Sequence, residues 1–383
     1  MYRVWIPLVL LTVGSWSNSV FAQESAEEAF LRGLAYQNGD GVPLDGVQAA
    51  QWYTVAAEQG HSEAQFNLAT MYQNGNGVPQ DSAKAVEWYS KAGDQGDVLA
   101  QFNLGMLYAR GDGVPEDFVR AAEWFRKSAE QGDIVAQLNL GLMYQVGDGV
   151  NRDSTAAAEW FRMAADQGDV VAQLNLGMMH GRGDGVPRDP AAALSWYRMA
   201  AEQGHSAAHY NLGMMYQNGE GVPRSLPQAR EWFEKAAELE HADAQFVLGE
   251  MYYFGDGVAE DIAAALGLYR RAADQGHALA QFNLGVIYYS GEGVARDVPA
   301  AVELFRSAAE QGNAGAQFNL ALMYFNADGV PRDLVQAYVW AELAVTFGEA
   351  NAPAFRRTLE NAMTPAQVAQ ALRISRERTA AMQ

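Results

Sequence analysis

The chain has 383 residues, of which 49% are hydrophobic, and it contains no cysteine. That length is ample for a core, and without disulfides packing alone must hold it. The formal charge of −20 repels phosphate backbones and anionic lipid surfaces, so nucleic acid is excluded as an expected partner.

In chain order, the first segment stands apart. Arg3 supplies a short positive region, Val4 to Val13 is an apolar run broken by one proline, and Ser15 to Ala22 ends in Val20-Phe21-Ala22. This is the pattern of a secretory signal, residues 1–22, cleaved after Ala22 to leave Gln23 first. The apolar run is too short to span a hydrocarbon core about 30 Å thick. The mature chain is therefore expected to be exported, periplasmic or secreted, without membrane insertion after cleavage.

From residue 23 to 348 the chain repeats. A Gly-Val pair stands at Gly41, Gly77, Gly113, Gly149, Gly185, Gly221, Gly257, Gly293 and Gly329, always 36 residues apart. A fixed period of this size, roughly 20–50 residues, means stacked supersecondary units. Each unit predicts two helices. Ala64, Leu68 and Tyr72 form the stripe of the first, with Gly or Ala at position 69 and its equivalents Gly105 and Gly141. Ala85, Trp88, Tyr89 and Ala92 form the stripe of the second. Gly75 and Gly77 break the first helix, Asp81 stands where the second needs a cap, and Gly96 suits a left-handed ending. Asp97, with His61 and Asn313 as its equivalents, opens the next helix. A unit of this kind cannot bury its apolar stripe alone, and stacking neighbours buries it.

Residues 100 to 132 carry the pattern almost whole: Ala100, Leu104, Gly105, Tyr108, Gly111, Gly113, Val114 and Asp117, then Ala121, Trp124, Phe125, Ala129 and Gly132. This resembles the Sel-one-like repeat (SLR) family, relatives of the tetratricopeptide repeats, over about residues 25–348. The resemblance implies an all-α, right-handed α-solenoid of about nine 36-residue helix–turn–helix repeats. It also implies a non-enzymatic scaffold or adaptor for envelope complexes that binds a protein or extended peptide on its concave face. Departures fall late in the array: Ser225 replaces the capping Asp, Glu240 the terminal Gly, and Leu268 and Leu304 the tryptophan, while Ala341 and Pro353 blur the last copy. After 348 the period stops. Thr364, Pro365 and Gln367 signal a new helix with Val368 and Leu372 on one side, so 349–383 is expected to be a helical cap over the last repeat.

Chemistry is sparse. None of the usual nucleophile, zinc-protease or phosphate-loop motifs occurs. His61, His205, His241 and His277 share one repeat position, a helix start where Asp or Asn stands in other copies. His205 and His209 are the one ligand-like pair, without a third ligand, so no metal is expected. Asp112 and Asp117 flank a glycine but lack the alternating oxygens of a calcium loop, and they are read as turn and cap. No cofactor and no catalytic residue is expected. Some secreted members of the resembled family have been associated with β-lactam binding, which makes an envelope hydrolase or small-ligand binder the alternative, although those members are cysteine-rich.

One stripe is left over. With Ala64 at 0° and about 100° per residue, Leu68 and Tyr72 define the buried side, whereas Phe66 at about 200°, Thr70 at about 240° and Asn67 at about 300° lie off it. Yet these columns recur: Phe66, Phe102, Tyr210, Phe282 and Phe318; Met106, Leu142, Met178 and Met214; Asn67, Asn103, Asn139, Asn175, Asn211, Asn283 and Asn319. They are either a partner-binding groove with an adaptable floor and an amide ladder, or packing between units.

Overall fold

A computed structural model describes residues 24–382; the proposed signal segment lies outside the described residues. Among these, all regular structure is helical, in twenty helices with no strand. Contacts divide the chain into two compact units, residues 1–188 and 189–383.

In the first unit, the first helices of successive repeats are α1 (Ala26–Asn38), α3 (Ser62–Asn74), α5 (Val98–Arg110), α7 (Ile134–Val146) and α9 (Val170–Arg182). Their second helices are α2 (Gly46–Glu58), α4 (Ser82–Asp94), α6 (Phe118–Glu130) and α8 (Ser154–Asp166). The repeat around α5 shows why the sequence folds this way. Asp97 caps α5 by accepting the Ala100 N–H at 2.8 Å, and Asp117 caps α6 by accepting that of Arg120 at 3.0 Å; each such cap contributes about 1 kcal/mol. The Gly-Val loop does more than turn. At Gly149 the backbone has φ +67°, and a Cβ there would stand 2.0 Å from the Phe118 carbonyl oxygen. The loop of one repeat therefore rests directly on the start of the preceding second helix. Ala100, Leu104, Tyr89 and Phe125 are buried between the helices, each large side chain contributing roughly 1.5–3 kcal/mol.

A row of buried glutamines ties successive repeats together. Gln101 donates to the Gly93 carbonyl at 2.8 Å and accepts from Gln131 at 2.8 Å. Gln65 does the same with Ala57 and Gln95, and Gln137 with Ala129 and Gln167. Each side chain satisfies a carbonyl at the end of one second helix and the amide at the end of the next, polar groups that burial would otherwise penalise.

In the second unit, α10 (Pro190–Glu202) is followed by first helices α11 (Ser206–Asn218), α13 (Ala242–Phe254), α15 (Ala278–Ser290) and α17 (Ala314–Asn326). The second helices are α12 (Leu226–Glu238), α14 (Ile262–Asp274), α16 (Val298–Glu310) and α18 (Leu334–Thr346). The sequence departures have local consequences. Glu240 adopts φ +58° where other repeats have glycine, and its carboxylate accepts from Gln245 at 2.8 Å and Arg271 at 2.7 Å. Ser225 still caps α12, through a longer 3.4 Å bond to Gln228.

Two further helices, α19 (Ala352–Ala362) and α20 (Pro365–Met382), pack on α18. Thr364 and Gln367 form the expected reciprocal cap, and Val368 and Leu372 pack on the terminal core. Covered on this side too, α18 buries residues all round, including Tyr338, Val339, Trp340 and Leu343.

Candidate partner-binding clefts

The leftover stripe lies between core and surface. Phe66, Phe102, Tyr210 and Phe282 are half-buried, with their rings 5.6, 5.8, 5.8 and 6.0 Å from Tyr89, Phe125, Phe233 and Phe305 of their own second helices. Tyr210 also stacks on His241 of the next repeat, 4.9 Å away. These rings are wedges within and between repeats, and their outer edges line clefts.

Such clefts open between consecutive first helices, and three of them are floored by the aromatic residue of the second helix. Between α5 and α7, Met106, Asn139, Leu142 and Val146 surround Phe125 in a space of about 250 Å³. Leu142 is 37% exposed and Val146 65%. Between α1 and α3, Phe66, Asn67 and Thr70 line about 380 Å³ with Gln37 and Leu44. In the second unit, Tyr253, Phe254, Phe282, Asn283 and Val286 line about 390 Å³ over Tyr269. Val286 also walls the adjoining cleft, where Tyr289, Asn319 and Leu322 stand over Phe305.

The asparagines do not form one continuous ladder. Asn139 and Asn175 donate back to the Val135 and Val171 carbonyls of their own helices at 2.7 and 2.9 Å. At three tyrosines of the second helices the amide meets the hydroxyl instead: Asn67 at Tyr53, Asn103 at Tyr89 and Asn283 at Tyr269. Tyr53 also donates to Gln37, and Tyr89 to Gln73 at 2.9 Å. Burial pushes all three phenols up, Tyr53 to about 12, so they remain neutral donors at physiological pH.

Other stripe residues are placed as follows. Met178 and Asn211 are partly buried on α9 and α11, and Met214 packs on the core under α12. Phe318 is closed over by Phe355 of α19, whose ring meets it edge-on at 5.8 Å. His209 turns Nδ1 to the His205 carbonyl oxygen at 3.0 Å and lies beside Trp232, occupying the position that glutamine holds in other repeats. His61, His241 and His277 cap their helices through Nδ1, but His205, at the same repeat position, makes no such bond. Among the described residues no group of three potential metal ligands is brought together, and no helix is long and apolar enough to cross a membrane.

Sequence reasoning placed Tyr89 and Phe125 in the second-helix pattern but not as cleft floors, and it missed the buried glutamines. Both were legible as columns, the first directly after the tryptophan or, at Tyr269 and Phe305, after the leucine that replaces it, the second directly after Ala64 and its equivalents.

Stacked helix–turn–helix units with clefts between their first helices define the class of helical repeat proteins. The Sel1 repeat model matches nine consecutive stretches, from 29–61 to 314–346, and the chain belongs to that family. It is 34% identical to a Sel1 repeat protein from Oxalobacter formigenes, with a TM-score of 0.71 over 89% of this chain and 99% of that one. It is 33% identical to c5321, a protective antigen present in uropathogenic Escherichia coli strains displaying an SLR fold, with a TM-score of 0.60 over 94% and 93% of the two chains. No curated protein sequence matches it significantly.

Proposed function

We propose that the protein is a non-enzymatic scaffold of the cell envelope that holds an extended segment of a partner protein along its first-helix clefts. The observation that carries this reading is recurrence: similar apolar clefts with an amide beside them return at repeat intervals in both units. An extended chain presents side chains and backbone groups periodically, which suits such a row. The linings offer contact area and amides, not a nucleophile poised beside a base. Methionine and leucine walls adapt to different side chains.

Placement outside the cytoplasm rests on the signal pattern of residues 1–22. It accords with the similar Escherichia coli chain being a protective antigen. N-terminal sequencing of the exported chain should find Gln23 first; Arg3 still attached would refute export by cleavage.

The binding reading is tested by parallel affinity captures from envelope extract. Wild type and Met163→Glu, which alters an exposed second-helix residue, should retain the same partner. Met106→Glu and Leu142→Glu should lose it with nearly unchanged melting temperature. If both stripe variants unfold, the stripe is core and the groove is misplaced.

A further inference from the structure

One position breaks the apolar column. Its members are Leu34, Thr70, Met106, Leu142, Met178, Met214, Glu250, Val286 and Leu322, so Glu250 alone is charged. It lies on α13 one turn before Tyr253 and Phe254, on the same face, and those two residues line the cleft between α13 and α15. The carboxylate is half-buried and makes no hydrogen bond or ion pair with any described residue. Burial, and secondarily Asp256, pushes its pKa up.

The surroundings hold no cation to answer it. Neither α13 nor α15 contains lysine or arginine. On α14, Arg270 donates to Tyr288 at 3.0 Å, and Arg271 pairs with Glu240 at 2.7 Å. At the rim, Tyr253 donates to Glu292 at 2.8 Å, which adds a second carboxylate beside the cleft. A desolvated carboxylate without a partner is unfavourable in the free protein. Aromatic faces beside it favour a cation with an apolar stem.

We infer that the cleft between α13 and α15 receives a lysine or arginine side chain of the bound segment, with Glu250 as its counter-ion and Tyr253, Tyr269 and Phe282 around its stem. This rests on the groove reading above and adds the chemistry of the occupant. In the first unit the cleft between α5 and α7 offers Met106 and Leu142 to an apolar side chain, and Arg110 and Asp148, of opposite charge, also line it.

The test uses the full mature chain and fluorescein-labelled short peptides of valine, leucine and alanine that differ only in a central lysine, norleucine or glutamate. Fluorescence anisotropy should give the lysine peptide a Kd at least about tenfold lower than the norleucine peptide, the weight of one partly desolvated charge pair. Glutamate should bind weakest. In Glu250→Gln the lysine advantage should vanish while norleucine binding stays. Glu250→Met, which installs the residue found at Met178 and Met214, is the second variant, with melting followed by circular dichroism. Equal binding of lysine and norleucine peptides to wild type, or a lysine advantage that survives both substitutions, overturns the cation assignment and leaves the groove standing. If no peptide binds, the groove reading fails at this cleft and the assignment with it.

Discussion

The cleft between α5 and α7 and the cleft between α13 and α15 are built on the same frame and lined differently. Both have a floor aromatic from the second helix, Phe125 or Tyr269, and an asparagine beside it, Asn139 or Asn283. Both are backed by a helical glycine, Gly105 or Gly249, whose absent Cβ leaves room for the second-helix ring. The first cleft is walled by Met106, Leu142 and Val146, the second by Tyr253, Phe254 and Phe282, with Glu250 one turn away. Frame and lining thus occupy separate columns of the repeat. Loop glycines and buried glutamines hold register, because each touches or bonds a neighbouring repeat, while the caps fix where each helix begins. Wall residues such as Leu142 and Val146 are exposed, so their chemistry can change without disturbing the stack.

That separation can be broken first at the frame. Gly149→Ala combines φ +67° with a Cβ 2.0 Å from a backbone oxygen, so urea unfolding should show a loss of about 3 kcal/mol or more. Gly132→Ala, at φ +96° with nothing within 4 Å, should lose only about 1 kcal/mol. Equal losses would mean that the loop contact does not set the register. Next in size, Gln101→Met removes one bond from the Gly93 carbonyl and one from the Gln131 amide, each of which keeps a bond to Gly96, and should cost about 1–2 kcal/mol. A neutral result would remove the glutamine row from the frame.

The smallest effect sharpens the lining. The Glu250 pKa is raised from its ordinary 4.5, so the folded state holds the proton more tightly than the unfolded chain. The stability from that protonation is complete below the unfolded value and is lost as pH rises through the folded one. Glu250→Met should therefore melt higher than wild type at neutral pH by less than about 1 kcal/mol, since water screens the half-exposed carboxylate. The gap should narrow toward acid. A gap that is constant from acid to neutral pH would place the carboxylate in open water.

Much of the frame was legible because each helix carries its own start and stop. Asp81, Asp97 and Asp117 cap helices where the spacing puts them, and Thr364 opens the last helix as read. The lining was only half legible. A helical wheel has one axis, so Phe66 at about 200° falls on the side away from the core; the second helix of its own repeat half-covers it. Gln65 and Gln101 show no role along their own helix because their partners, a neighbouring carbonyl and a neighbouring amide, belong to other helices. Phe318 fits its column, yet only tertiary packing brings Phe355 over it. Glu250 was visible as the odd residue in its column. Its meaning depends on the lack of any cation across the cleft, a property of three helices together.

The central claim is that partners lie along the first helices, and methionine oxidation footprinting tests it directly. Met106, Met178 and Met214 stand on the stripe, whereas Met163 and Met199 lie on second helices, 48% and 41% exposed. With the captured partner bound, brief peroxide treatment should convert the three stripe methionines to sulfoxide several-fold more slowly than in the free chain. Met163 and Met199 should oxidise at unchanged rates. Protection of Met163 and Met199, with Met106, Met178 and Met214 unchanged, would place the partner on the second helices and contradict the account.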